Sequence, residues 1–254
     1  MSVDAEKINL ILNGAEQRLQ IVLAKEKVPI LSQEWLVPGR AMQFLAPALD
    51  QALTLLSLTP KDLSGVACVR GPGSFTGLRI VLATALGFAK ASDLPLAGLD
   101  YPPLLAQGPI PLLHGTLAVL THSRTRQVYA QTFSAPGCEP LSEPESLMLE
   151  QIPALLQDKP RPWSVLGSGL RRNRNFFEDH LEEAVFLDPI WDNPRPESLA
   201  HAAARARFHK EPIALNYLRT SDAEENLDRI ARSRGLTPED AARRLAAATS
   251  NTHT

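Results

Sequence analysis

The chain has 254 residues, 44% of them apolar, enough for one large core or two modest ones. Its 26 Lys and Arg against 28 Asp and Glu leave a formal charge of -2, which excludes a chain-wide positive field for nucleic acid, so any RNA would be reached through a partner's basic surface. Cys68 and Cys138 are too few for a disulfide framework. No apolar run reaches membrane-spanning length and no basic stretch leads into an apolar one, a pattern that points to the cytoplasm and to no membrane contact.

In chain order, three strands are predicted first. Ile8 to Leu12 is short and apolar, Arg18 to Ala24 alternates with Leu19, Ile21 and Leu23 on one face, and Pro29 to Val37 carries Trp35. A helix follows from Ala41 to Leu56, because Met42, Leu45, Leu49, Leu53 and Leu56 recur at three- and four-residue steps despite Pro47. Strand Gly65 to Val69, helix Thr76 to Ala91 and strand Leu94 to Gly98 complete a βββαβαβ series. After a Pro-rich break at Tyr101-Pro102-Pro103 and Gly108-Pro109-Ile110-Pro111 a similar series restarts. It has strands at Leu117 to Thr121, Gln127 to Phe133 and near Glu139 to Leu147, then a helix at Leu149 to Gln157 and strand Trp163 to Leu166, which runs into Gly167-Ser168-Gly169. A helix at Asn173 to Leu181, strand Ala184 to Leu187, helix Pro196 to His209 and strand Ile213 to Leu218 end the series.

The densest feature is the loop between the first apolar strand-to-helix pair, Gly71-Pro72-Gly73-Ser74-Phe75-Thr76-Gly77-Leu78-Arg79. Glycine admits conformations closed to other residues and lets a neighbour approach the main chain, while Pro72 fixes one dihedral. A P-loop would need Lys and a hydroxyl residue directly after the last glycine, and the dinucleotide fingerprint would need two residues between its second and third glycines. Neither spacing is met. Two readings stay open: a helix N-terminus that aims N–H groups at a phosphate or carboxylate, and a tight strand-to-helix connection with no ligand.

This loop, with Leu215-Asn216-Tyr217-Leu218-Arg219, resembles the signature of the TsaB (YeaZ, glycoprotease homologue) family, and the similarity runs from about Ile8 to Arg219. The resemblance implies an α/β fold of two ribonuclease-H-like (actin-like) lobes, each a mixed sheet with flanking helices, over residues 1–100 and 101–219. A helical extension at 220–254 lies beyond the usual family ending, with a capped helix start at Thr237-Pro238-Glu239-Asp240. The resemblance further implies a cytoplasmic, non-catalytic subunit that supports a TsaD-like enzyme in making threonylcarbamoyladenosine beside the tRNA anticodon. A TsaE-like ATPase would join through the complex, the chain would form a homodimer when alone, and tRNA would be met indirectly. No cofactor is expected for the chain itself, with ATP or ADP held only in complex with the partner.

Site expectations divide in three. Gly71, Gly73, Ser74, Thr76, Gly77 and Arg79 form the glycine loop. Met42, Leu45, Leu49, Leu82, Leu86 and Ala89 are the expected partner interface, with Ala83, Ala85 and Ala89 permitting close helix approach. Asn13 and His122 mark a degenerate nucleotide cleft: where the family usually has Asp-Thr this chain has Asn13-Gly14, and where it usually has Asp-Ala-Arg this chain has Thr121-His122-Ser123-Arg124. Asn13 carries no charge to hold magnesium, and it also fits a hairpin turn. No catalytic or metal residue is expected. His114, His122, His180, His201, His209 and His253 lack the spacing that places two imidazoles on one helix face, and Gly167-Ser168-Gly169 is not a nucleophile elbow. Those absences weigh against the alternatives, an active actin-like ATPase or kinase and a glycoprotease-type peptidase.

Overall fold

A computed structural model describes residues 7–37, 41–216, 218 and 237. The first lobe is a five-stranded sheet of β1 (Ile8–Asn13), β2 (Arg18–Lys25), β3 (Val28–Leu36), β4 (Leu63–Gly71) and β5 (Leu96–Asp100) in the order β3-β2-β1-β4-β5. β1 pairs antiparallel with β2 and parallel with β4, β2 pairs antiparallel with β3, and β4 pairs parallel with β5. Every residue of central β1 is buried, which is why, apart from Asn9 and the closing Asn13, it reads as apolar on both faces rather than as an alternation. Its two faces serve two cores. Leu10 and Leu12, with Leu23, Val66 and Cys68, pack under α1 (Ala41–Leu55) and α2 (Phe75–Ser92). Ile11, with Val22, Ala67 and Ala97, faces the core shared with the second lobe.

The second lobe repeats this plan. Strands β6 (Gly115–Arg124), β7 (Gln127–Ala135), β8 (Glu145–Met148), β9 (Trp163–Leu166) and β10 (Val185–Phe186) stand in the order β10-β9-β6-β7-β8, with β6–β7 and β7–β8 antiparallel and β6–β9 and β9–β10 parallel. Mapped strand for strand, this is the topology of the first lobe, so the expected pair of mixed α/β lobes is present. Leu117, Val119 and Phe133 join the shared core, whereas Ala118, Leu120 and Val128 pack beneath α4 (Ile152–Gln157), α5 (Ser168–Arg172) and α6 (Arg174–His180).

Several boundaries differ from the sequence expectation. Tyr101-Pro102-Pro103 is not a break but the first turn of α3 (Tyr101–Ala106), where a proline's missing N–H has no helical partner to lose. Tyr101, Leu104, Leu105 and Ala106 bury into the shared core. The strand expected over Glu139 to Leu147 is confined to β8, with Phe133 bridging Pro140 before it. The helix over Asn173 to Leu181 is preceded by α5, and Pro196 to His209 shortens to α7 (Pro196–Arg205). The closing strand Ile213 to Leu218 is not formed at 213–216. His209 bridges Leu96 and the Asn216 N–H reaches the Arg70 carbonyl, while Pro212 between them has no N–H to give. Tyr217, Arg219 and the predicted extension apart from Thr237 lie outside the described residues. α7, expected in the second lobe, packs on β1, β2 and β3 of the first, and buried Leu199, Ala200 and Ala203 belong to the shared core. No helix among the described residues is long and apolar enough to cross a membrane.

Candidate functional site

The glycine loop turns its backbone toward the β1–β2 turn. The Ser74 N–H donates to the Ala15 carbonyl at 2.6 Å, and Ser74 then caps α2: its Oγ accepts from the Gly77 N–H at 3.3 Å and its carbonyl from the Leu78 N–H at 2.9 Å. The glycines are demanded by proximity. A Cβ on Gly73 would stand 2.2 Å from the Ala15 oxygen and one on Gly77 would stand 2.2 Å from the Gly14 oxygen. Gly14 is confined in return, with Val81 Cγ2 at 2.6 Å from its Cβ position. Three of the donors that could greet an anion are therefore engaged within the loop and its neighbour. Thr76 and Arg79 are exposed, and the Arg79 guanidinium lies 3.9 Å over the Phe75 ring.

Asn13 ends β1 with its side chain buried. Its Nδ2 donates to Gln20 Oε1 at 2.7 Å and its Oδ1 accepts from the Ala15 N–H at 3.0 Å, while Gln20 Nε2 donates to the Pro194 carbonyl at 2.9 Å. The amide thus holds the β1–β2 turn and, through Gln20, the segment leading into α7. His122, near the end of β6, gives its backbone N–H to Ser168 Oγ at 2.9 Å.

Ser168 leads into the polar cluster between the lobes. Gly167 sits at a φ of +110°, where a side chain would be strained, and its Cβ would lie 2.3 Å from the Leu120 oxygen. Asp192, buried, accepts from the Gly167 N–H at 2.8 Å and pairs with Arg171 Nε at 2.7 Å, which fixes the turn. Presented this way, Ser168 Oγ donates to Glu16 Oε1, and Tyr101 Oη donates to Glu16 Oε2 at 3.2 Å. The Glu16 carboxyl is pushed up to about 7, chiefly by burial, against the lowering effect of these two hydroxyls; Asp192 raises it further and Arg172 lowers it. The Tyr101 hydroxyl is raised well above its usual value by burial and then by the charge of Glu16. Sequence reasoning passed over Glu16, Tyr101 and Asp192. The one available signal was a serine between two glycines after a buried strand, a hydroxyl that such a turn must present.

The expected interface residues divide. Leu45, Leu49 and Ala89 are only 2%, 5% and 2% exposed and belong to the first lobe's own core; Ala85 is buried with them. Leu82 and Leu86 are half-buried at its border, and the Met42 side chain lies outside the described set. The outward stripe of α2 is instead Thr76, Arg79, Ala83, Gly87 and Lys90. Among the described residues, a Cβ on Gly87 would meet nothing within 4 Å. Among the described residues no group of three His, Cys, Asp or Glu is placed to hold a metal ion, and burial pushes the Cys68 thiol up to about 12.

Residues 40–137 match a family model described as TsaD: tRNA N6-adenosine threonylcarbamoyltransferase. The chain is 37% identical over 203 residues to the tRNA threonylcarbamoyladenosine biosynthesis protein TsaB of Escherichia coli, covering 76% of this chain and 86% of that protein. It is 28% identical over 219 residues to the protein of the same name from Bacillus subtilis, covering 85% and 95%. Among solved structures, YeaZ from Pseudomonas aeruginosa superposes with a TM-score of 0.63 at 19% identity, covering 83% of this chain and all (100%) of the other. An uncharacterized protein with similarity to peptidase YeaZ from Pseudomonas aeruginosa gives 0.69 at 22% identity, covering 84% and 100%. At those identities the two structures establish the shared fold.

Proposed function

The chain belongs to the TsaB family, and on that premise we propose that it is a non-catalytic subunit of threonylcarbamoyladenosine formation in tRNA, docking a TsaD-like subunit on the outer face of α2 beside α1. The observation that carries this reading is the outward stripe of α2. Ala83 and Gly87 stand exposed at its middle, flanked by half-buried Ile80, Leu82 and Leu86, so a second helix could approach closely on an apolar border. Both helices fall within residues 40–137, where the chain matches the TsaD model. A partner built on a related lobe could therefore pair helix against helix about a pseudo-twofold axis, and a second copy of this chain could do the same when the partner is absent.

The site supports assistance rather than catalysis. Asn13 brings no negative charge for a metal-bound phosphate, and its amide is engaged by Gln20 and Ala15. In the glycine loop the Ser74 N–H holds the β1–β2 turn through the Ala15 carbonyl, while the Gly77 and Leu78 N–H groups donate to Ser74. On this reading a nucleotide, the TsaE-like ATPase and tRNA are all met through the assembled complex. The test is a reconstituted reaction with tRNA, the TsaD-like subunit and the remaining components from the same source. Product should depend on adding this chain, and Ala83→Glu should abolish that dependence while the variant melts like the wild type. Full product formation without the chain would refute the reading.

A further inference from the structure

We propose that the edge of the first lobe opposite the glycine loop is a phosphate-binding face that takes the backbone of tRNA directly. The chain's formal charge of -2 is unevenly placed, and basic residues gather at this edge. β1 starts there, with Ile8 paired to Lys25 at the end of β2 and to Leu63 at the start of β4. Lys7 and Lys61 precede those two strands. Lys27 stands in the β2–β3 turn, which is tied to Lys7 because the Glu26 N–H donates to the Lys7 carbonyl at 3.1 Å. Arg207 is brought to the same edge by Phe208, whose ring lies 2.6 Å from the Cβ position of Gly65, and by the bridge of His209 to Leu96 at the start of β5. The Lys7, Lys27, Lys61 and Arg207 side chains are all exposed.

The carboxylates of this edge offset only part of that charge. Asp93 is paired with Lys210 at 2.6 Å, and Glu211 lies 3.4 Å from His209. Asp62 accepts from the Thr59 N–H and hydroxyl, both at 2.7 Å, which turns it into its own loop. Glu26 remains. Among the described residues none of Lys7, Lys27, Lys61 and Arg207 has a carboxylate within ion-pairing distance. From Lys27 through Lys7 to Lys61 the row crosses roughly 12 Å of sheet, a spread of charge over which successive phosphates of one strand can lie.

RNA suits this face better than an anionic membrane. A membrane-surface element sets its cations beside a broad apolar helix face, whereas these stand on strand ends and turns, with Val28 and Ile30 the exposed apolar side chains next to Lys27. α2 ends at this edge with Lys90 on its outward stripe, so an RNA held by a partner on α2 could extend onto it. Naming the polyanion as tRNA rests on the pathway reading above, to which it adds a contact made by this chain itself.

The test is binding of the isolated full chain to an unmodified tRNA transcript, followed by fluorescence anisotropy from about 50 to 200 mM salt. At the low end the wild type should bind with a micromolar dissociation constant, and its affinity should fall with about the third power of salt concentration, as for roughly four neutralised phosphates. Lys27→Glu combined with Arg207→Glu should lower the affinity about tenfold or more and reduce that exponent by about two, with an unchanged melting temperature because both side chains are exposed. The wild-type salt dependence keeps the proposal testable if that variant folds poorly. Arg174→Ala, which removes a cation from α6 in the second lobe, should bind like the wild type. No partner subunit is present, so a failure here leaves the docking reading standing, and a failure of docking leaves this result standing. Absence of binding at about 50 mM salt, equal affinity of the wild type and the double variant, an equal loss in Arg174→Ala, or binding to phosphatidylserine vesicles in place of tRNA would overturn it.

Discussion

Gly71-Pro72-Gly73-Ser74 after β4 and Gly167-Ser168-Gly169 after β9 occupy equivalent places in the two lobes, since β4 and β9 are the matching strands of one repeated topology. Each carries a buried strand into a helix through a glycine followed by a serine, yet Ser74 caps its own helix while Ser168 reaches across to Glu16. The difference lies in what packs above the turn. Above the first, the Gly14 and Ala15 carbonyls come so near that Gly73 and Gly77 must be bare and Ser74 must bond at home. Above the second, the Asp192–Arg171 pair secures the backbone from behind and frees the hydroxyl to point at the other lobe. A glycine-rich turn is therefore a licence for close approach, and its neighbours decide what approaches.

The largest expected effect is on the glycines themselves. Gly167→Ala combines a left-handed φ with a clash on the Leu120 oxygen, and Gly73→Ala drives a Cβ into the Ala15 oxygen. Each should destabilise the fold by roughly 3 to 5 kcal/mol, lowering the melting temperature by about 10 °C. A Gly73→Ala variant of normal stability would show that the loop has room, reopening the reading in which it holds a ligand.

Next comes pH. Glu16 binds its proton more tightly in the folded chain, near 7 against an ordinary 4.5, so the folded state holds more protons than the unfolded state between those values. The contribution of the neutral carboxyl is whole below about pH 4.5, declines as pH rises through that window and is lost above about 7, a change of about 3 kcal/mol. Urea titrations at intervals across the window should show that decline in the wild type and not in Glu16→Gln; a difference of opposite sign would contradict the account.

The two serines should then separate. Ser74→Ala removes a helix cap and should cost about 1 kcal/mol at every pH. Ser168→Ala should cost a similar amount, roughly 1 to 2 kcal/mol, and should also shift the pH at which stability changes, because Glu16 loses a donor to its charged form. Equal, pH-independent losses in denaturant titrations of both variants would erase the distinction between the turns. Smallest of all, Gly87→Ala adds a methyl to an exposed helix position with no neighbour among the described residues and should stabilise the isolated chain by about 0.5 to 1 kcal/mol. Calorimetric melting would detect it, and a loss of stability would mean that the outer face of α2 is covered within the chain.

The strands and the two long helices were legible because burial imposes periodicity, and α1 survives Pro47 because that residue lies on its exposed side. The same periodicity could not say which surface covers a stripe. Leu45, Leu49 and Ala89 have the spacing of an interface and the burial of a core, for the physics of apolar burial is common to both. α3 was hidden because a proline pair signals a break unless a helix starts there, and α5 because its first residues are also turn residues. Glu16 could not be found by any local rule. It stands in a polar turn, and its enclosure is made by Tyr101 and by Ser168, 152 positions further on.

Isothermal titration of the TsaD-like subunit with the wild-type chain and with Ala83→Glu tests the subunit reading at its point of contact. An unpaired carboxylate in a dry helix contact should weaken binding more than about a hundredfold, with an unchanged melting temperature because Ala83 is exposed in the isolated chain. Equal affinity of the two proteins for that subunit would contradict the account.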